Sequence, residues 1–406
     1  MGSETERYGV IIDIGSGSVL AAIVHSSTTQ KHPQIIWSHR EHTPIRNIDS
    51  IEQSAKAVIT ALVNVSMQLD SVGRKALYEY NSRAKLTSVQ STISAPWSYT
   101  ITKKIQYNQE REFVITEDLI EELTTAVQDK IAKDVKENDA LLNLGLSVVT
   151  RGMKSLVANG YSTAHPVGNK AKTLSLSLTS VIAQQYLIDV IEEMRDKLFA
   201  HADSQKLSFM LVMYTVACNL FGRLQDTCLV DVTYEATEIG IVRDEVLTYC
   251  THTPFGLFSI AREISGITGV TLHEAFGYLH TDTPYSFMDD LPKAQKAEVE
   301  AVFESYVEKL VSLFHETGDS LSIPKQISIN TDFKTESTMA DLIDRAVKRT
   351  IKVSPKIIFI SDDIIRHIKS DEEVDKAKDN SPNDSALLLA AEFFHTKVEH
   401  ESFRYL

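Results

Sequence analysis

Apolar residues fill positions 8–12 and 19–24, and between them lie Asp13, Ile14, Gly15, Ser16, Gly17 and Ser18. Two continuous apolar runs split by a small-residue turn predict a hairpin of buried strands. A third strand is expected at 34–38. From 49 to 69 the apolar positions take helical spacing, at Ile51, Ala55, Val58, Ile59, Leu62, Val65 and Leu69, behind Asp49 or Ser50 as a cap. Residues 88–106 return to Thr, Ser, Ile and Val around Ala95-Pro96 and predict strands bounding a turn. An amphipathic helix follows from Thr116 to about Lys133. Strand character resumes over 146–183, with period-two alternation at Leu174, Leu176 and Leu178. A helix at 184–199 and a strand-helix unit at 207–224 close this half.

At Cys228 the pattern starts again. The run CLVDVTYEATEIGIVRDEVLTYCTHT reads as strand, Asp231, turn, strand, charged turn, strand. This repeats the grammar of residues 9–38, and two Asp-tipped hairpins that each open a half-chain predict two related lobes with a cleft between them. Helices are expected near 259–265 and at 271–281, 293–315, 336–349 and 385–398, and strands at 325–330 and 356–361. The charged stretch 370–384 reads as an exposed helix or loop.

Composition narrows the function classes. The 406 residues suffice for two or three domains, with ordinary apolar and charged fractions. A net charge of −14 argues against non-specific nucleic-acid binding and against direct docking on anionic lipid. Cys218, Cys228 and Cys250 lack metal spacing and fit buried, reduced thiols of a cytoplasmic protein. No signal peptide is evident, and the most apolar stretch, 209–221, is too short to span a bilayer; a buried strand running into a helix is expected there.

Four segments carry a family resemblance. IIDIGSGSV at 11–19 and LVDVTYEATEIGIV at 229–242 resemble the two phosphate motifs of actin-like ATPases. TPFG at 253–256 resembles the connection that leads from the second motif into a helix. NGYSTAHPVGNKAKTLSLSL at 159–178 is similar to a stretch of the extra subdomain found in the FtsA/PilM branch. The chain therefore resembles that branch over nearly its whole length. The resemblance implies an α/β, actin-like (ribonuclease H-like) two-lobed fold with an inserted α+β subdomain. It assigns 1–85 and 184–226 to the first lobe, 86–183 to the insert, 227–270 and 323–406 to the second lobe, and 271–322 to a helical subdomain. It also implies ATP and magnesium in the cleft. Candidate cofactor contacts are Asp13, Gly15, Ser16, Gly17, Ser18, Asp231, Thr233, Thr237 and Gly256, with Asp13 and Asp231 holding magnesium through water.

Three of the four nucleotide elements depart from that pattern. No glycine remains between Asp231 and Thr237, and Tyr234 and Glu235 bring bulk and negative charge to the place where a phosphate would meet backbone amides. A carboxylate about 4 Å from a phosphate costs roughly 1 kcal/mol even in water. Thr331-Asp332-Phe333-Lys334 stands where the family has a Gly-Gly turn for adenosine, and Phe276 and Leu279 replace the Glu and Lys expected after Glu274-Ala275.

The expected function is a cytoplasmic scaffold or adaptor with a partly degenerate ATP site and at most weak ATPase activity. Its partner would be a membrane-anchored protein held by the insert, with self-assembly into oligomers or filaments open. The alternative is an active Mg-ATP-binding actin-like ATPase, or an FtsA-like filament former of cell division. Only about eight residues (399–406) follow the closing helix, with no apolar face of helix length, which favours PilM over FtsA and peripheral membrane association through a partner over direct insertion. His39 and His42 are read as solvated loop residues, not metal ligands, and no hydrolase motif is present.

Overall fold

A computed structural model describes residues 6–44, 51–137, 145–163, 165–221, 226–281, 283–318, 323–331, 335–368 and 384–399. The expected caps Asp49 and Ser50, the charged stretch up to 383, and residues 332–334 of the adenosine turn lie outside these.

Strands β1 (Glu6–Ile14), β2 (Ser18–Ser27) and β3 (Gln34–His42) form the opening meander. Helix α1 (Ile51–Gln68) runs through a single π turn into α2 (Arg74–Tyr80). Strand β4 (Leu86–Ile93) and β9 (Asp203–Ser208) complete a sheet of order β3-β2-β1-β4-β9, with the last two parallel to β1. β1 from Tyr8 and all of β2 are buried, with both faces covered, which is why positions 10–12 and 19–24 are continuously apolar instead of alternating.

The second sheet repeats the first. It comprises β10 (Thr227–Val232), β11 (Thr237–Arg243), β12 (Val246–Thr253), β13 (Gln326–Thr331) and β14 (Lys356–Phe359), in the order β12-β11-β10-β13-β14. Its first two pairings are antiparallel and its last two parallel, as in the first sheet. Helices α6 (Leu257–Thr268), α8 (Lys293–Glu316) and α9 (Glu336–Ile351) bury one face against Val230, Val232, Ile239 and Ile241; α7 (Leu272–Tyr278) packs beside α6.

Two helices cross between the lobes. α5 (Phe209–Phe221) leaves β9 and packs on the second sheet, while α11 (Ser385–Glu399) closes the chain against β1 and β2 of the first. The two meet in one apolar cluster that includes Met210, Met213, Leu389 and Phe393.

Between β4 and β9 the chain builds a third sheet, β5 (Ser98–Val114), β6 (Leu146–Ala158), β7 (Tyr161–Ser162) and β8 (Lys170–Gln184), in the order β5-β8-β6-β7. Helix α3 (Glu117–Glu137) lays Ile120, Leu123, Val127 and Ile131 on Leu174, Leu176 and Leu178. Helix α4 (Gln185–Leu198) then returns to the first lobe, where Leu187, Ile188 and Ile191 join its core.

Four expectations need correction. β3 extends to His42, so His39 and His42 lie on a strand, not a loop. Residues 209–221 are helical throughout; the strand ahead of them is the polar β9, an edge strand with little apolar signal. Residues 360–361 begin helix α10 (Ile360–Ile368) instead of ending β14. The helix expected to stop near 69 continues to Tyr80.

Candidate functional site

The two hairpin turns face each other across the cleft and are in contact. In the first, Gly15 N–H donates to the Ser18 carbonyl at 2.9 Å, and Trp97 Nε1–H donates to the Gly15 carbonyl at 3.1 Å. Ser16 lies at the tip and is buried. Its hydroxyl donates to Thr233 Oγ1 at 2.8 Å and accepts the Glu235 N–H at 2.9 Å. Gly17 meets the ring of Tyr234: a Cβ built there would fall 2.5 Å from the ring, so no larger residue fits without movement.

Tyr234 is 1% exposed, and its ring packs with Phe258 and Phe276 at centroid distances of 4.4 and 5.9 Å. The bulk foreseen at position 234 thus takes the phosphate side of Gly17, as an extension of the second lobe's aromatic core. The charge foreseen at 235 goes elsewhere: Glu235 receives a fork of hydrogen bonds from Arg262 on α6, at 2.9 and 2.5 Å. Gly256 precedes α6 and presses on the second turn, where a Cβ would lie 2.4 Å from the Thr233 carbonyl oxygen. The first N–H groups of α6 serve that turn: Leu257 N–H donates to the Thr233 carbonyl at 3.1 Å and Phe258 N–H to the Tyr234 carbonyl at 2.7 Å. Thr237 points away from the cleft, into a bond with Tyr306 at 2.8 Å and another with the Phe255 carbonyl at 3.0 Å.

The two aspartates occupy equivalent places. Asp13 pairs in register with Thr92 on β4, whose hydroxyl donates to Asp13 Oδ1 at 2.7 Å. Asp231 pairs in register with Asn330 on β13, whose amide donates to Asp231 Oδ1 at 2.8 Å. Asp13 also receives Arg40 Nη2 on its other oxygen at 3.3 Å. Burial, the larger influence, raises the Asp13 carboxyl above its ordinary range, while Arg40 and Thr92 pull it back. Arg40 reaches further, donating Nη1 to Ser18 Oγ at 2.7 Å and a fork to Asp384 at 2.8 and 3.0 Å. Asp384 caps α11 through a 3.0 Å bond from Leu387 N–H. The next residue, Ser385, donates to Asn330 Oδ1 at 2.8 Å.

The site therefore gathers Asp13, Ser16, Gly17, Ser18 and Thr233, with Gly15 and Gly256 shaping the two turns and Asp231 joined through Asn330. This donor set does not fit a magnesium nucleotide. Both oxygens of Asp13 already have protein donors. The tip hydroxyl and the Glu235 amide are spent on each other, and Tyr234 covers Gly17. Among the described residues, no group of three or more His, Cys, Asp or Glu is placed to hold a metal ion.

Sequence reasoning missed Arg40, Thr92, Asn330, Asp384 and Ser385. The only local signal was Asn330 at the end of a strand that repeats β4. Arg40 and Thr92 meet Asp13 across 27 and 79 residues of chain, Asp384 reaches Arg40 across 344, and Ser385 reaches Asn330 across 55.

Neither a protein-family model nor a curated protein matches the chain. Among solved structures it is similar to a chain of the PilM-PilN type IV pilus biogenesis complex, with a TM-score of 0.52, 11% identity, and 95% of this chain and 98% of that chain covered. It is also similar to the ethanolamine utilization protein EutJ from Carboxydothermus hydrogenoformans (TM-score 0.44, 10% identity, 96% and 89% covered). A third similarity is to the activator of 2-hydroxyisocaproyl-CoA dehydratase from Clostridium difficile with bound ADPNP (TM-score 0.38, 11% identity, 97% and 96% covered). The first of these, spanning nearly both chains, shows the fold: two actin-like α/β lobes with an inserted subdomain. Among the described residues, no helix is long and apolar enough to cross a membrane.

Proposed function

We propose that this chain is a PilM-like cytoplasmic adaptor that binds a membrane-anchored protein through its insert, residues 86–183, and that its cleft is a structural joint. The boundaries of the lobes and the helical subdomain are those read from the sequence, except that residues 86–93 of the expected insert form β4 of the first sheet. The observation that carries the proposal is the contact between the hairpin turns, with Tyr234 seated on Gly17 and the Ser16 hydroxyl bonded to the opposite turn. A turnover enzyme needs that space for phosphate. The likeness to a chain from a complex named for PilM and PilN supports the adaptor half of the proposal.

Two measurements test it. Calorimetric titration with Mg-ATP is expected to give no binding in the micromolar range. Micromolar, magnesium-dependent affinity that is lost in Asp13→Ala supports the ATPase alternative instead. Pull-down from solubilised membranes, with exposed residues of the β5-β8-β6-β7 sheet substituted, is expected to lose a membrane protein that the unsubstituted chain retains. Unchanged capture removes the insert from the proposal.

A further inference from the structure

A continuous polar path joins the two aspartates through the chain itself. It runs from Asp13 to Arg40, from Arg40 to Asp384, along one peptide link to Ser385, and on through Asn330 to Asp231. Each donor on the path is fixed by its chemistry. A guanidinium can only donate, the Ser385 hydroxyl donates to the amide oxygen of Asn330, and the amide nitrogen is left for Asp231. Arg40 is largely withdrawn from solvent, at 15% side-chain exposure, and meets three oxygen-bearing side chains at once. A small cation placed between Asp13, Ser18 and Asp384 would meet the same groups.

We infer that the chain closes its own cleft: Arg40 stands where the resemblance expects a divalent cation, and the first turn of α11 carries the link between lobes expected of a nucleotide. This rests on the cleft geometry used above and is independent of the adaptor role. Its content is that lobe closure needs no ligand. A guanidinium suits the task because its planar fork holds Asp384 bidentately and still reaches Asp13 and Ser18. Asp384 suits it because the N-terminus of a helix favours a carboxylate there. Ser385 places the second half of the link on the same turn, so one helix start fastens both lobes.

The test is ligand dependence of the full chain, read by thermal unfolding. The unsubstituted protein is expected to unfold at the same temperature with or without 5 mM magnesium and 1 mM ATP; a rise with Mg-ATP overturns the inference. Arg40→Ala leaves Asp13 and Asp384 facing a gap. Its midpoint is expected to fall by roughly 5 °C, and 10 mM magnesium or methylguanidinium should recover at least half of the fall. An unchanged midpoint, or a fall that neither cation repairs, overturns it. Ser385→Ala breaks the other half of the path while leaving Arg40 in place, and serves if the arginine variant does not fold. Amides at 232–236 should then exchange with solvent at least tenfold faster than in the parent, and equal exchange overturns the inference. Neither readout involves a partner, so failure of the adaptor proposal would leave this result standing.

Discussion

The same three-residue row crosses each lobe's sheet, and the two rows solve one problem differently. In the first lobe, Asp13 pairs with Leu20 and Leu20 with Arg40; in the second, Asp231 pairs with Glu238 and Glu238 with His252. Both rows carry a buried aspartate beside a polar residue on the parallel strand. The first row supplies a permanent cation. The second supplies none: it has a second acid, and a histidine that burial pushes down to about 4. Glu238 is 2% exposed, and burial together with Asp231 raises its carboxyl well above the ordinary range, so its charged form is disfavoured. A buried charge is tolerated when it is paired and hydrogen-bonded, and otherwise neutralises. The first lobe pairs its buried acid with a cation; the second disfavours the charged form of one of its two acids. The glycines follow the same division: Gly15 and Gly17 keep the first turn thin, and the second turn fills the space above Gly17 with Tyr234.

The largest effect is expected where the lobes interlock. Tyr234→Ala removes a fully buried ring shared by the second lobe's aromatic cluster and the Gly17 backbone, and should cost about 4 kcal/mol in denaturant unfolding. Tyr234→Phe should cost under about 1 kcal/mol, because the hydroxyl's bond to His42 is a long 3.4 Å. If both variants lose the same amount, the ring's packing is not what holds the turns together.

Next come the aspartates themselves. Asp13→Asn keeps the Thr92 bond but withdraws one charge from Arg40, and should destabilise the fold by about 3 kcal/mol. Asp231→Asn should cost about 1 kcal/mol or less, because the Asn330 amide that bonds it is neutral and removing its charge lessens the penalty on ionising Glu238. Equal costs would break the comparison between the rows, since they would mean that Arg40 adds nothing that Asn330 lacks. Glu238→Gln tests the second row further. The substitution removes a carboxyl whose charged form burial and Asp231 disfavour, so unfolding at pH 7 should show no loss of stability beyond about 1 kcal/mol.

The comparison also shows what the sequence could reveal. The two hairpins, their aspartates and the lobes they open were legible, because apolar runs with a shared grammar recur at 9–38 and 228–253. The insert's α3 and β8 were legible because each buries one face at its own period. What stayed hidden was polar and long-range. Arg40 sits on the hydrophilic end of β3, past the apolar residues that mark the strand, and its partner Asp384 is 344 residues away. β9 has the sequence DSQKLS and is recognisable as a strand only through its pairing with β4. The first two residues of helix α10 read as strand because its apolar start continues that of β14 without a break. The replacement of expected glycines by Tyr234 and Glu235 pointed to an altered phosphate site. That the first motif's own residues were engaged by the second turn required the fold.

The smallest and most specific effect concerns pH. His252 lies against Tyr99, with ring centroids 4.6 Å apart, and opposite Glu238 in register, and burial lowers its imidazole from 6.5 to about 4. A histidine depressed in the folded state binds fewer protons there than in the unfolded chain. Its contribution is fully present above about pH 6.5 and is lost progressively as pH falls through 4. The loss attributable to this residue should reach about 3 kcal/mol by pH 4. Carboxylates titrate in the same window, so the informative quantity is a difference between proteins. His252→Phe keeps an aromatic ring against Tyr99 and removes the titration. Chemical denaturation at pH 7 and pH 4.5 should then show a smaller pH-induced loss in the variant than in the parent. Equal losses would mean that burial does not depress the imidazole in the folded protein, and the second row would then lack the neutral histidine that sets it apart from the first.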